Sequence, residues 1–259
     1  MNTVVAPAKL TLTLEVTGVR PDGFHELRSE MVALSLSDEL AFTDGSEGLM
    51  VIAEAGTRSE SLPQEDDNLV AQALRAVSRK ARVRVTKRIP LGGGLGGGST
   101  DAAAVLRWAG SDDLDLALSL GSDVPFCVGG GRALVEGVGE RLTPLPYEKR
   151  GFWLLVPPFG VNTQQVYAAW DALSPDAQHL GPNELAAAAL VVEPRLAKWR
   201  DALATHSGGV PALAGSGSTW FVERDLHAPD IGARTITVGK AEGQLISVIT
   251  VPTGWDGQI

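Results

Sequence analysis

Apolar and polar residues alternate in two segments of the N-terminal half, and this period-two pattern predicts two half-buried strands. The first covers residues 10–16, LTLTLEV, and the turn-forming sequence RPDG follows at residues 20–23. The second covers residues 83–89, VRVTKRI. The apolar runs FWLLVP at residues 152–157 and LISVITV at residues 245–251 predict two further strands in the C-terminal half.

Helical periodicity separates these strands. Residues 66–80 place their apolar side chains on one face, with Asp66 or Asp67 as the predicted N-cap. Three further helices are predicted, at residues 101–109, 164–173 and 183–203. The pattern therefore indicates a mixed α and β organisation without an internal repeat.

A polar, proline-containing link at residues 143–151 divides the chain. Such a link is typical of a domain boundary, because few packing contacts cross it. We place the boundary near residue 149, which predicts one domain over residues 1–149 and a second over residues 150–259.

Composition narrows the function classes. The formal charge of −9 argues against a nucleic-acid surface, which needs clustered Lys and Arg. The single cysteine, Cys127, cannot form an internal disulfide or a cysteine metal site, which suits a protein of the reducing cytoplasm. The apolar residues around Cys127 predict that it lies in the core. No window approaches the roughly 18 apolar residues of a membrane-spanning helix, and the N-terminus lacks the pattern of a signal peptide.

The most informative segment is PLGGGLGGGSTD at residues 90–101, which has six glycines in seven positions between a predicted strand and a predicted helix. A loop of this kind points backbone N–H groups at one spot, with the positive end of the helix dipole behind them. Glycine allows positive φ and close approach of an anion. The segment therefore predicts a phosphate-binding loop.

Three other interpretations of this loop are weaker. A flexible linker is seldom bracketed so closely by a strand and a helix. A Walker loop is excluded, since no lysine precedes Ser99 or Thr100 in the required spacing. A dinucleotide fingerprint is satisfied only because glycines occupy almost every position, and the segment does not follow a first strand.

Three segments, in order, carry a family resemblance: PAKLTLTLEVTGVRPDGFHEL at residues 7–27, PLGGGLGGGSTDAA at residues 90–103 and AGSGSTWF at residues 214–221. They resemble the signature blocks of the kinases named for galactose, homoserine, mevalonate and phosphomevalonate, the GHMP kinases. DGFHEL and the stretch GSDVPFCVGGGRALVEGVGE at residues 121–140 are most similar to the members whose acceptor alcohol carries a cytidine diphosphate group.

The resemblance implies a two-domain α+β fold, in which the N-terminal domain carries the phosphate loop and a ferredoxin-like C-terminal domain closes the acceptor site. It implies ATP as phosphate donor with Mg²⁺, for which Ser99 or Thr100 is the expected protein contact. The expected nucleotide-binding residues are Lys87, Pro90, Leu91, Gly92, Gly93, Gly94, Leu95, Gly96, Gly97, Gly98, Ser99 and Thr100.

The resemblance also implies that Asp123 is the base that takes the acceptor proton and that Lys9 lies beside it. From the residues alone, Asp123 could equally cap the segment that follows it. Lys9 alone would be better explained as a solvated edge-strand lysine.

For the acceptor, the resemblance implies that Phe24 and Tyr167 stack on the cytosine, while His25 hydrogen-bonds its polar edge. Thr163 is expected to contact the substrate. Thr11 stands where the family usually has an asparagine, which puts the contact at that position in doubt. Two alternatives stay open: another small-alcohol kinase of the same superfamily, and a catalytically silent relative that binds nucleotide.

Overall fold

A computed structural model describes residues 2–45, 48–53, 68–178, 181–227 and 230–258. The N-terminal half runs in the order β1 (Asn2–Val19), β2 (His25–Asp44), β3 (Gly48–Ala53), α1 (Leu69–Ala76), β4 (Ala81–Lys87), α2 (Gly97–Ala109), α3 (Leu114–Leu120), α4 (Val124–Gly129), β5 (Arg132–Gly137) and β6 (Arg141–Pro144). The C-terminal half continues with β7 (Gly151–Val156), α5 (Thr163–Asp171), α6 (Pro175–Gln178), α7 (Leu185–Val192), α8 (Leu196–Ser207), β8 (Ala212–Leu213), β9 (Trp220–Arg224), β10 (Ala233–Val238) and β11 (Ala241–Ile249). The predicted α+β class is confirmed.

Each half has its own sheet. In the N-terminal sheet the order is β3-β4-β2-β5-β6, with β1 paired to β2, and only the β3–β4 pair is parallel. The C-terminal sheet is antiparallel in the order β10-β11-β7-β9-β8. The register of β1 against β2 shifts between Pro7 and Lys9 and again between Thr11 and Thr13. Lys9 and Thr11 therefore lie on one face of a short regular stretch between two irregularities.

The apolar residues form three clusters. One lies between the N-terminal sheet and α2, and a second lies between the C-terminal sheet and its helices. The third joins the halves, because Leu10 and Leu34 from the first sheet pack with Phe152 and Leu154 from the second. The predicted boundary falls between β6 and β7, and the two sheets on either side of it share this buried layer.

Three predicted helices differ from the observed ones in their bounds. The helix predicted over residues 66–80 is α1, and its N-cap is Asn68, whose side chain accepts a hydrogen bond from Val70 N at 2.9 Å. Asp66 and Asp67 lie outside the described residues. The helix predicted over residues 183–203 is split into α7 and α8, because Pro194 between them has no N–H to continue the first helix.

The helix predicted from residue 101 begins earlier, at Gly97. Gly96 precedes it in the left-handed conformation, with φ +71°, and turns the chain from the glycine loop into α2. In the part of the chain that the structure describes, every helix falls short of the length and apolar character that crossing a bilayer requires.

Candidate active site

A cavity of about 670 Å³ opens between the two halves of the molecule. Its walls come from β1, the turn before β2, the glycine loop, the start of α5 and the turn at residues 214–217. Of the residues predicted for the site, the cavity is lined by Lys9, Thr11, Phe24, His25, Gly94, Gly96, Ser99, Asp123, Thr163 and Tyr167. The three sequence blocks, which are far apart in the chain, thus meet at one place.

Lys9 and Asp123 form an ion pair on the cavity wall. The distance from Lys9 Nζ to Asp123 Oδ2 is 3.3 Å, and the lysine side chain is only 6% exposed. Lys9 Nζ also donates to Thr11 Oγ1 at 3.1 Å. The lysine points inward and is paired, so it is not a solvated edge-strand lysine. A buried ammonium needs such partners because leaving water without them is costly.

The side chain of Asp123 does not cap a helix. Asp123 occupies the N-cap position of α4, yet its side chain makes no capping hydrogen bond. Its carboxylate instead faces Lys9 and is 32% exposed to the cavity. This geometry leaves carboxylate lone pairs available to a molecule bound in the cavity.

The glycine loop is held under the turn at residues 214–217. A Cβ atom at Gly94 would collide with the carbonyl oxygen of Ala214 and lie 2.9 Å from that of Gly217. Thr219 N donates to Gly93 O at 3.2 Å, which fixes the same approach. At these positions glycine is required by the neighbouring backbone as well as by any phosphate.

Gly96 is required by Lys9. A Cβ atom there would lie 2.6 Å from Lys9 Cγ, and the residue has a positive φ. The loop also receives a hydrogen bond from β1, because Lys9 N donates to Leu95 O at 3.0 Å. The position of the Lys9 side chain therefore depends on the absence of a side chain at residue 96.

The two hydroxyl residues at the start of α2 differ. Ser99 lines the cavity. Thr100 is fully buried, and its Oγ1 donates to Pro7 O at 2.7 Å. The hydroxyl of Thr100 is therefore engaged with β1, whereas Ser99 lies on the cavity wall; the expected contact of Thr100 with nucleotide or metal stays a prediction. Within the described ranges, no group of three or more His, Cys, Asp or Glu side chains could hold a metal ion.

Lys87 lies beneath the glycine loop, next to Gly97. Its ammonium, 3% exposed, donates to Asp38 and to Asp101 Oδ2, the latter at 2.6 Å. Asp38 also accepts from the backbone of Arg88 and Ile89. The side chain of Lys87 thus ties β4 to β2 and α2, and its expected contact with nucleotide stays a prediction.

The pKa values of Lys87 and Asp101 in this buried cluster are shifted from their ordinary values. Burial raises the pKa of Asp101 to about 8, although Lys87 opposes the shift. Burial by itself would lower the pKa of Lys87, but the charges of Asp101 and Asp38 outweigh it and raise that pKa.

The other residues of the glycine loop contact different parts of the molecule. Pro90 and Leu91 line a separate groove against β7 and β11. Gly92 approaches Gly160, and Gly97 lies over Lys87. Gly98 is exposed, next to Leu69.

The three residues predicted to hold the cytosine, Phe24, His25 and Tyr167, all line the cavity, and their contact with a base stays a prediction. Phe24 is 59% exposed on the rim of the cavity. Tyr167 stacks on the ring of His25, with 4.6 Å between centroids and 30° between planes. Burial and the charge of Asp123 raise the pKa of Tyr167, so its hydroxyl stays protonated at neutral pH. One face of Tyr167 is therefore already covered by His25.

The sequence analysis assigned no role to several residues at or next to this site, although Ser216 lies in the block at residues 214–221 and NEL at residues 183–185 also resembles a family motif. Asp171 lines the cavity and lies 2.7 Å from His25 Nε2, and Ser216 hydrogen-bonds Thr163 at 2.8 Å. Asn183 is 2% exposed and donates to the carbonyl oxygens of Leu213 and Gly215, both at 2.7 Å. The spacing of Tyr167 and Asp171, four residues apart on one helix, was the available signal for Asp171.

Comparisons with known proteins agree with the geometry. The family "GHMP kinases N terminal domain" matches residues 68–131. A 4-diphosphocytidyl-2-C-methyl-D-erythritol kinase from Carboxydothermus hydrogenoformans is 34% identical over 84% of this chain and 86% of its own length. One from Cereibacter sphaeroides is 37% identical over 85% and 88%. The chain belongs to the 4-diphosphocytidyl-2-C-methyl-D-erythritol kinase family.

A solved structure of a family member supports this assignment. The crystal structure of a 4-(cytidine 5'-diphospho)-2C-methyl-D-erythritol kinase has 30% sequence identity and a TM-score of 0.70, and the match covers 95% of this chain and 99% of that one. The similarity to the 4-diphosphocytidyl-2-C-methyl-D-erythritol kinase family thus extends over both halves of the fold and both sides of the cavity.

Cys127 agrees with the sequence prediction of a core residue. It is a free, buried cysteine, and burial raises the pKa of its thiol to about 12. The thiol therefore stays protonated at neutral pH and is not a nucleophile.

Proposed function

We propose that this protein transfers the γ-phosphoryl group of ATP to the 2-hydroxyl of 4-diphosphocytidyl-2-C-methyl-D-erythritol. The observation that carries the proposal is the Lys9–Asp123 pair, 3.3 Å apart, on the wall of a cavity that the glycine loop also lines. A kinase for alcohols needs charge neutralisation, in-line positioning and an acceptor for the hydroxyl proton. The pair and the loop supply groups for each of these requirements.

In the proposed step, the acceptor oxygen forms a bond to the γ-phosphorus while the bond from that phosphorus to the bridging oxygen of ADP breaks. The hydroxyl proton passes to a carboxylate oxygen of Asp123. Lys9 stabilises the negative charge that develops on the acceptor oxygen, and Thr11 holds the lysine in place. ADP and the phosphorylated acceptor are the products.

We place the ATP phosphates at the start of α2, because Gly96 and Ser99 line the cavity there and a helix N-terminus attracts anions. Ser99 is the residue that would contact a magnesium ion there, because its side chain lines the cavity. Bound Mg²⁺ would screen the charge of the triphosphate, and this ion takes most of its ligands from phosphates and water.

At the other end of the cavity, Phe24 is the candidate to stack on cytosine and His25 the candidate to hydrogen-bond its edge. Tyr167 supports His25 and offers its remaining surface to the ligand. Thr163, which is bonded to Ser216, lies at the start of α5 next to this end. A single buried cysteine also supports a reducing compartment such as the cytoplasm.

An ADP-release assay over a panel of acceptors tests the proposal. We expect turnover with the cytidine-bearing acceptor and none above background with homoserine, mevalonate or galactose. Phe24→Ala should raise the KM for the cytidine-bearing acceptor by about five- to 150-fold, the range expected for losing one stacking contact, and leave the KM for ATP unchanged. Efficient turnover of an acceptor without cytidine would contradict the substrate assignment.

A further inference from the structure

One face of α5 holds the ring of His25 on three sides. Tyr167 stacks on the flat of the ring, and Trp170 meets it edge-on at 5.7 Å and 87°. Asp171 Oδ1 lies 2.7 Å from Nε2. These three residues occupy positions i, i+3 and i+4 of the helix, which places them on one surface stripe. Together, these three contacts fix the position and the orientation of the His25 ring.

The hydrogen bond to Asp171 also fixes the tautomer of His25. An ionised carboxylate can only accept hydrogen bonds, so Nε2 must carry the proton in this contact. In a neutral imidazole the other nitrogen, Nδ1, is then a hydrogen-bond acceptor. The carboxylate thus determines what kind of group His25 can recognise.

We propose that Asp171 is a positioning residue that makes this site select cytosine over uracil, an inference that rests on the proposed function. The two bases differ at two positions of one edge. Cytosine carries an amino group at C4, which donates, and an unprotonated N3, which accepts; uracil carries a carbonyl at C4, which accepts, and an N3–H, which donates. We infer that Nδ1 of His25 reads the group at C4. An Nδ1 lone pair attracts the amino group of cytosine and repels the carbonyl oxygen of uracil.

The burial of His25 makes this selection strong. Its side chain is only 10% exposed, so a mismatched base leaves polar groups without water or a partner. Such a loss is expected to reduce affinity by about five- to 150-fold. Asp171 itself is 50% exposed and lines the cavity, so it is replaceable without opening the core.

The test compares the cytidine and uridine forms of the diphospho-methylerythritol acceptor as substrates of the wild type and of Asp171→Asn. An asparagine can turn its amide N–H₂ toward Nε2, which permits the tautomer with a proton on Nδ1. That tautomer can pair with uracil. We expect the cytidine-to-uridine ratio of kcat/KM to fall by at least about tenfold, through the KM of the acceptor, with the KM for ATP unchanged.

Asp176→Asn is the matched control, since it makes the same chemical change on an exposed residue of the neighbouring α6. Its ratio should equal that of the wild type. Titration calorimetry with CDP and UDP should give the same order of ratios without turnover. Asp171→Ala should also lose the preference for CDP, and circular dichroism shows whether that variant is folded.

Nitrogen-15 spectra of the histidine rings provide a readout that a merely structural role would not change. The wild type should show His25 with the proton on Nε2, and Asp171→Asn should show a new population protonated on Nδ1; His25→Gln assigns the signal. An unchanged base preference in Asp171→Asn, or an equal change in Asp176→Asn, would overturn the inference alone. No turnover of the cytidine-bearing acceptor by the wild type would overturn the proposed function with it.

Discussion

At the scale of single residues, the most informative feature of the site is the buried lysine Lys9. Lys9 is 5% exposed, and its charge is balanced by Asp123 and by the hydroxyl oxygen of Thr11. A charge so placed interacts more strongly with a developing negative charge than it would in bulk water, because the local dielectric constant is lower. Because Lys9 is buried, we expect removal of either partner, Asp123 or Thr11, to change the activity separately.

Asp123→Asn should lower turnover by roughly two to four orders of magnitude, the usual effect of losing a positioned base. The amide keeps the shape of the side chain but cannot take the proton. Steady-state kinetics should show the loss in kcat, with little change in the KM for either substrate. Asp115→Asn, on the exposed side of α3, is the control. A kcat within a few-fold of wild type would remove Asp123 from the mechanism.

Thr11→Val should reduce kcat by about two- to twelve-fold, because it removes one hydrogen bond to Lys9 without changing the volume of the side chain. Thr11→Ser keeps the hydroxyl and should recover most of the activity. Stopped assays at saturating ATP and acceptor measure both variants. If the valine and serine variants were equally slow, the effect would come from packing and not from the hydroxyl.

At the scale of elements, α2 begins and ends with a left-handed glycine. Gly96 has φ +71° at its N-terminus and Gly110 has φ +73° at its C-terminus. Only Gly96 has a functional neighbour, since a Cβ atom at Gly110 meets nothing within 4 Å. Comparing the same substitution at the two positions therefore separates the effect of backbone strain from the effect of displacing the Lys9 side chain.

Gly96→Ala and Gly110→Ala should each lose about 1 to 2 kcal/mol of folding free energy to the left-handed conformation. Gly96→Ala should additionally lose most of its kcat, because the new methyl group displaces the Lys9 side chain. Urea unfolding gives the first quantity and an ADP-release assay the second. Equal activity of the two variants would show that Lys9 tolerates the methyl group.

The segment around Asn183 joins elements from both halves. Asn183 Oδ1 accepts from Leu185 N, while Glu184 Oε2 accepts from Val16 N of β1 at 2.8 Å. Asn183 Nδ2 donates to the carbonyl oxygens at the start of the turn that covers the glycine loop. Two adjacent side chains thus tie α7 to its neighbours: Asn183 joins it to that turn, and Glu184 joins it to β1.

Asn183→Ala should destabilise the protein by about 1 to 3 kcal/mol, since two buried carbonyl oxygens lose their donor. Asn183→Asp should be at least as damaging, because it brings a carboxylate toward the same oxygens. Chemical denaturation measures both. A loss below about 0.5 kcal/mol for Asn183→Ala, the size of an ordinary surface change, would mean that water replaces the amide.

At the scale of the whole molecule, stability depends on the buried cluster of Asp38, Lys87 and Asp101. The folded protein binds the Asp101 proton more tightly than the unfolded chain, because burial raises its pKa from 3.8 to about 8. This group therefore makes stability fall as the pH rises from about 4 to about 8. Lys87, whose pKa is raised above 10.5, contributes stability that is lost only at pH values above that.

Asp101→Asn should flatten this dependence. We expect the free energy of unfolding of the wild type to decline from pH 5 to pH 8, and that of the variant to decline less. Urea unfolding at four pH values in one buffer series measures both curves. Parallel curves would mean that Asp101 does not carry a raised pKa in the folded protein.

The sequence alone predicted part of the strands and helices, and through the family resemblance it supplied the candidate chemistry of the site. Period-two alternation located β1 and β4, and the glycine-rich segment identified a loop between a strand and a helix. The signature block at residues 7–27 and the stretch at residues 121–140 identified Lys9 and Asp123 as candidates for catalysis. These features are local, because side-chain periodicity, glycine conformations and motif spacing depend on residues that are close in the chain.

Only the tertiary structure decided which side chains are free to act. Lys87 and Thr100 looked available in the sequence, yet Asp38 and Pro7, from distant strands, take up their donors. Asp171 and Asn183 gained their roles through contacts with residues more than 25 positions away. A hydrogen bond forms wherever folding brings a donor and an acceptor together, and separation along the chain does not determine that distance.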